Sequence, residues 1–141
     1  MAFDAVIGYT SETLPENYFE SSEAWVKVDM QRAVEVIENG IRDLGPLLTF
    51  YRRLVELCML VGDYDNAIDW QTEIIDRSER KERAYLERAK IFLTAKDPEN
   101  ARSDLQSARD AIEKLPPRIR SQKNILELEE EIRLELSALS H

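Results

Sequence analysis

The chain contains the same short pattern twice, DYDNA at residues 63–67 and DPENA at residues 97–101, and the copies lie 34 residues apart. A weaker third copy has Asp29 and Ala33 a further 34 residues upstream. A carboxylate just before a helix accepts hydrogen bonds from unpaired backbone N–H groups, so each aspartate predicts a helix start. The alanine four residues later then lies on the inner face of the first turn, where a small side chain lets another helix approach. The spacing therefore predicts a repeated helical unit.

Apolar residues recur at helical spacing before each of the two stronger aspartates. They are Leu47, Leu48, Tyr51, Leu54, Val55, Cys58 and Met59 in one copy, and Tyr85, Ala89, Phe92 and Leu93 in the next. Spacings of three and four residues place them on one face of a helix. Tight turns at Gly62-Asp63 and Lys96-Asp97 join these helices to the ones that follow. Each unit is thus predicted to be a pair of amphipathic helices.

The weaker copy has its own start and stop signals. Thr13 and Glu16 form a capping-box pattern, which predicts a first helix over residues 15–27. A second helix is expected to begin at Asp29 and to end at Gly45-Pro46.

The C-terminal part follows a different pattern. Pro116-Pro117 ends the third pair, because the residue before a proline is pushed out of helical geometry. The final helix then carries one apolar stripe, formed by Ile125, Leu128, Ile132, Leu136 and Leu139. We expect this helix to cap the last repeat. The predicted organisation is a flexible segment at residues 1–12, three repeats at about 13–46, 47–80 and 81–115, and a C-terminal capping helix at 116–141.

These patterns resemble the tetratricopeptide repeat (TPR) family. The signature slots hold Tyr51, Leu54, Val55, Gly62, Asp63, Tyr64, Ala67 and Ile74 in the second copy, and Tyr85, Ala89, Phe92, Asp97, Ala101 and Ala108 in the third. Val55 and Lys96 depart from the small residue and the turn glycine that are usual in that family. The resemblance implies an all-α superhelix, or solenoid, of three TPR-like helix pairs plus the capping helix. It also implies a non-enzymatic protein–protein interaction module, an adaptor or scaffold, that binds a peptide or helix of a partner in a concave groove.

In this family the first helix of each pair lines the groove. The resemblance therefore implies a partner-binding set of Tyr18, Trp25, Arg52, Glu56, Met59, Arg83, Leu86, Lys90 and Leu93. Trp25, Met59 and Leu93 would form an apolar stripe, which is either open to a partner or covered by the N-terminal segment or the final helix. Arg52, Arg83 and Lys90 favour an acidic peptide, although a mixed surface without a ligand is also compatible with them.

Family members that hold chaperone C-terminal tails require specific basic and amide residues in the groove. The corresponding slots here hold Tyr18, Ser22, Arg53, Arg83 and Glu87. Glu87 has the wrong charge for a carboxylate ligand, so binding of chaperone tails is not expected.

Composition restricts the other function classes. The 141 residues carry a formal net charge of -9, which disfavours binding to a nucleic-acid backbone. Cys58 is the only cysteine, and the first ten residues resemble neither a signal peptide nor a membrane span. The single histidine, His141, is at the chain end, and no catalytic, metal-binding or phosphate-binding motif is present. We therefore expect a cytoplasmic protein without enzymatic activity, cofactor, metal site or membrane contact.

The main alternative is a structural subunit or homodimer that assembles through the final helix. Leu126 and Leu134 lie off the apolar stripe of that helix, which such an interface would explain. Glu129, Glu130 and Glu131 interrupt the same face, so a monomer is favoured.

Overall fold

The computed structural model describes residues 14–26 and 29–140, and this part of the chain is all-α, as predicted. It contains no strand, and its helices are α1 (Pro15–Val26), α2 (Met30–Leu44), α3 (Leu48–Val61), α4 (Tyr64–Arg77), α5 (Glu82–Thr94), α6 (Pro98–Glu113), α7 (Pro117–Arg120) and α8 (Lys123–Leu139). The chain divides into two compact units, unit 1 up to Trp70 and unit 2 from Gln71 onward. The predicted flexible segment, Thr13, Lys27 and His141 lie outside the described residues.

The predicted aspartates begin their helices. Asp29 accepts hydrogen bonds from two backbone N–H groups of the first turn of α2, at 3.0 and 3.4 Å. Asp63 and Asp97 each accept one from the backbone N–H three residues later, Asn66 and Asn100, both at 3.3 Å. The side-chain amides of these two asparagines donate to the same aspartates, both at 2.6 Å. The helix starts at residues 63 and 97 are thus the same structure repeated.

The small residues of the pattern are buried as predicted. Ala33, Ala67 and Ala101 have no exposed surface. A larger side chain in these positions would force the packed helices apart.

The two turns also have one geometry, although one contains glycine and the other lysine. Gly62 and Lys96 both adopt left-handed backbone conformations, with φ of 76° and 63°. The N–H of the following aspartate donates to the carbonyl oxygen five residues upstream, at 2.9 Å after Gly62 and 2.8 Å after Lys96. This Schellman-type ending satisfies carbonyl groups at the ends of α3 and α5.

Lys96→Gly is expected to raise the free energy of unfolding by about 1 kcal/mol, because glycine adopts this conformation without the Cβ clash. Chemical denaturation followed by circular dichroism measures the change. Gly62→Ala is the matched variant and should lower stability by a similar amount. A loss of stability in Lys96→Gly would contradict the steric argument.

Unit 1 is built on α1, α2 and α3. Its buried core consists of Tyr18, Trp25, Ala33, Val36, Ile37, Phe50, Leu54 and Leu57. A Cβ at Gly40 would lie 2.9 Å from the Phe50 ring, so this glycine permits the close approach of α2 to α3. The Tyr18 ring meets Phe50 edge-on, with the ring centres 5.8 Å apart. As predicted, α2 ends at Gly45, whose N–H donates to the Ile41 carbonyl oxygen at 2.8 Å.

Unit 2 is built on α5, α6 and α8. Its buried core consists of Leu86, Ala89, Ala101, Leu105, Ala108, Ile112, Ile125, Leu128 and Ile132, with Leu136 and Leu139 packed against it. The predicted packing of the final apolar stripe on the third helix pair is thereby confirmed. The C-terminal segment differs from the prediction of one helix, because Gln122 is extended and separates the short α7 from α8.

Candidate functional site

The first helices of the second and third predicted pairs expose one stripe each. On α3 it holds the exposed residues Thr49, Arg52, Glu56 and Leu60, with the half-buried Arg53 at its edge. On α5 it holds the exposed residues Arg83 and Thr94 and the half-buried residues Glu87 and Lys90. Each α5 residue lies 34 positions after its α3 counterpart, so the two stripes occupy equivalent slots. We call them the α3 stripe and the α5 stripe.

Arg53 joins the α3 stripe to α1. Its guanidinium lies 2.8 Å from a Glu23 carboxylate oxygen and 3.0 Å from a Glu56 carboxylate oxygen. The Arg53 Nε also donates to the Ser22 hydroxyl at 3.4 Å. Because two carboxylates hold this cation, it offers little free positive charge to a ligand.

Lys90 joins the α5 stripe to α8. Its ammonium nitrogen lies 2.6 Å from a Glu131 carboxylate oxygen and 3.9 Å from a Glu87 carboxylate oxygen. The hydrogen bond to Glu131 raises the pKa of Lys90, and the nearby Glu87 charge acts in the same direction. Leu93, one turn further on, packs against the core of unit 2. The final helix therefore contacts this end of α5, which was one of the two alternatives left open by the sequence.

Three of the predicted groove residues are core residues instead. Tyr18 is 2% exposed, Trp25 is 7% exposed and Leu86 is fully buried, so the prediction that they line an open groove is wrong. Tyr18 and Trp25 lie on the face of α1 that packs into unit 1, and Leu86 faces the core of unit 2. The next residue on α5, Glu87, is half-buried and belongs to the α5 stripe.

The remaining predicted residues lie on two helices. Arg52, Glu56 and Met59 are on α3, where the first two are exposed and Met59 is half-buried, and Arg83 is exposed on α5. With Trp25 buried and Leu93 packed against a core, the described residues do not form the predicted exposed apolar stripe of Trp25, Met59 and Leu93.

An ion pair between a buried carboxylate and a partly buried guanidinium in unit 2 was not predicted. Arg88 on α5 donates from Nε and NH2 to both oxygens of Asp104 on α6, at 2.8 and 2.7 Å, and from NH1 to the Thr72 hydroxyl at 3.0 Å. The guanidinium also lies over the Tyr85 and Phe92 rings, 5.8 and 6.0 Å from their centres. The hydrogen bonds to Asp104 raise the pKa of Arg88. This network fixes α5 against α6 rather than presenting a charge to solvent.

A cleft of about 400 Å³ opens between the start of α5 and the end of α6, and we call it the α5–α6 cleft. It was not predicted either. Its lining residues are Glu79, Arg80, Lys81, Glu82, Tyr85, Ser107, Asp110, Ala111, Lys114 and Leu115. The lining combines both charges with an apolar wall.

Cys58 is a packing residue, as predicted from its position in the repeat. It is 7% exposed, and burial raises the pKa of its thiol, which lowers the fraction of reactive thiolate. Among the described residues no group of three histidine, cysteine or acidic side chains is placed to hold a metal ion. None of the helices within residues 14–26 and 29–140 is long and apolar enough to cross a lipid bilayer.

No protein-family model matches the chain. No curated protein matches its sequence either.

Proposed function

We propose that the chain is a TPR-like, non-enzymatic interaction module, an adaptor or scaffold, and that its exposed helix stripes bind a peptide or helix of a partner protein. The observation that carries the proposal is the repeated turn at residues 62–67 and 96–101. Both turns have a left-handed backbone conformation, the same hydrogen bond to a carbonyl oxygen, an aspartate cap and a buried alanine. Repeats of this kind bury their apolar faces against neighbouring helices and leave one helix face free for ligands.

The α3 and α5 stripes are the surfaces proposed for the partner. Arg52 and Arg83 make no ion pair with any described residue, so they remain available to an acidic side chain of a peptide. Glu87 lies on the α5 stripe in place of the expected Leu86, and its charge disfavours the carboxylate tails of chaperones. We further propose a cytoplasmic role without a cofactor, and the net charge of -9 favours a protein over a nucleic acid as the ligand.

Charge reversal on the stripes tests the proposal. A partner is first captured from native extract by the wild-type chain, and its affinity is then measured with purified components by calorimetry. Arg52→Glu and Arg83→Glu should each weaken binding by about tenfold, because each replaces an attraction by a repulsion. Their thermal melts should stay unchanged, since exposed charges contribute little to stability.

Arg109→Glu is the matched control, because Arg109 is exposed on α6, a helix that carries neither stripe. Its affinity should stay within about twofold of wild type. Equal loss in all three variants, or no loss in the stripe variants, would place the binding surface elsewhere.

A second candidate function is assembly as a homodimer or structural subunit through α8. Leu126 and Leu134 are 50% and 54% exposed on the same helix, so two large apolar side chains are available there for contact with another chain. Size-exclusion chromatography with light scattering tests it. A dimer that Leu126→Glu with Leu134→Glu converts to a folded monomer would support this function, and a wild-type monomer at all concentrations would contradict it.

A further inference from the structure

The α5–α6 cleft contains a buried carboxylate that is only partly satisfied. Glu82 is 4% exposed, and the Arg80 Nε donates to its two oxygens at 2.9 and 3.5 Å. No other described residue donates a hydrogen bond to it. A carboxylate accepts about four hydrogen bonds, so most of the capacity of Glu82 is unused. Burial of a charge in this state is costly unless further donors reach it.

Two of the three cations at the cleft already have partners inside unit 2. Arg80 pairs with Glu82, at 2.9 Å. The Lys81 ammonium donates to the carbonyl oxygens of Ile75 and Ser78, at 2.5 and 2.9 Å, and so satisfies the end of α4. The charge of Arg80 is therefore partly neutralised by Glu82, and two of the three donors of Lys81 are already used.

The remaining charges of the cleft are mainly negative. Glu79 and Asp110 are exposed at the rim, and neither makes an ion pair with a described residue. Lys114 is the lining cation that makes neither an ion pair nor a side-chain hydrogen bond with a described residue. A cationic ligand would therefore find more available partners in the cleft than an anionic one.

The size and walls of the cleft fit a long basic side chain. A volume of about 400 Å³ lies within the range of ligand pockets. Tyr85, Ala111 and Leu115 supply apolar surface for an aliphatic stem, while the Ser107 hydroxyl can accept a hydrogen bond. Lysine and arginine combine an apolar stem with a charged head.

We propose that the α5–α6 cleft binds a lysine or arginine side chain of a partner protein. The charged head donates to the free acceptor positions of Glu82, and Asp110 and Glu79 attract it at the rim. The stem lies along Tyr85. This site shares no residue with the α3 and α5 stripes, and it does not depend on the function proposed for them.

A capped single residue tests the site without the nonspecific attraction of a polybasic peptide. The full chain, labelled with nitrogen-15, is titrated with N-acetyl-arginine amide and followed by NMR. The backbone signals of Tyr85, Ser107 and Ala111 should shift and saturate. N-acetyl-citrulline amide has nearly the same shape but no charge, and it should bind at least about tenfold more weakly.

Variants of the lining residues are expected to change the affinity for the arginine probe in opposite directions. Glu82→Gln should weaken binding of the arginine probe at least about tenfold, and Asp110→Asn should weaken it about threefold, because each removes negative charge. Lys114→Gln should tighten binding about twofold, because it removes a like charge. Glu99→Gln, an exposed change of the same charge at the other end of α6, should leave the affinity unchanged.

Asp110 and Lys114 are exposed, so their variants keep the test valid even if Glu82→Gln unfolds the chain. Equal binding of the citrulline probe, shifts that lie away from the cleft, or equal weakening by Glu99→Gln would each overturn the proposal. So would unchanged affinity in both Asp110→Asn and Lys114→Gln.

Discussion

Asp104→Ala is expected to lower the free energy of unfolding by about 3 kcal/mol, as found for buried ion pairs that lose one partner. The Asp104 side chain is 5% exposed and holds the Arg88 guanidinium through two hydrogen bonds. Its removal leaves the positive charge of Arg88 between α5 and α6 without its hydrogen-bonded carboxylate, beside the Thr72 hydroxyl and two aromatic rings. Urea denaturation followed by circular dichroism measures the loss.

The double variant Arg88→Met with Asp104→Leu removes both charges and keeps apolar volume at the site. It should be more stable than Asp104→Ala, because no unpaired charge remains buried. If Asp104→Ala costs less than about 1 kcal/mol, the pair contributes no more than an exposed ion pair, and its role in holding α5 against α6 is refuted.

Ile132→Ala is expected to lower the free energy of unfolding by about 3 kcal/mol, through lost burial and the cavity left behind. Ile132 is 1% exposed and belongs to the stripe by which α8 packs into the core of unit 2. Thermal and urea denaturation report the change.

Leu134→Ala is the matched control, two residues along the same helix. Leu134 is 54% exposed, so its replacement in the monomer should change stability by less than about 0.5 kcal/mol. Similar losses in the two variants would mean that α8 does not present the predicted apolar face to the core.

Helix starts and helix faces were predictable because they depend on local chemistry. Asp63 and Asp97 accept hydrogen bonds from groups three residues away, and a residue pattern therefore reveals them without knowledge of the tertiary structure. The burial of Ala67 and Ala101 follows from the same period. The break at Gln122 was missed because Pro117 is compatible with the first turn of a longer helix as well as of a short one.

The residues of the exposed stripes were harder to predict, because an assignment that is wrong by one residue exchanges the exposed face of the helix for the buried face. Successive helix positions differ by about 100° around the helix axis, so Leu86 faces the core while Glu87 lies on the exposed stripe. The apolar character of Leu86 was the available signal. Tyr18 carried a similar signal, since it is aromatic and lies seven residues before Trp25, a spacing that places both on one face of a helix.

The polar contacts between α5 and α6 join residues that lie on opposite sides of the turn at Lys96. Arg88 and Asp104 are equidistant in sequence from Lys96, as are Glu82 and Asp110, which line the cleft. In an antiparallel helix pair such residues lie opposite one another. Opposite charges placed symmetrically about the predicted turn would therefore have indicated the buried pair, whereas a search for catalytic or metal motifs could not.

The burial of Cys58 allows the reactivity of its thiol to report local opening of the protein. Because this thiol is the only one in the chain and lies in unit 1, it reacts with a disulfide reagent only when that part of the protein opens. The rate of modification in the absence of denaturant would give the opening free energy around α3 alone. Comparison with global unfolding would then show whether the two units open together or independently.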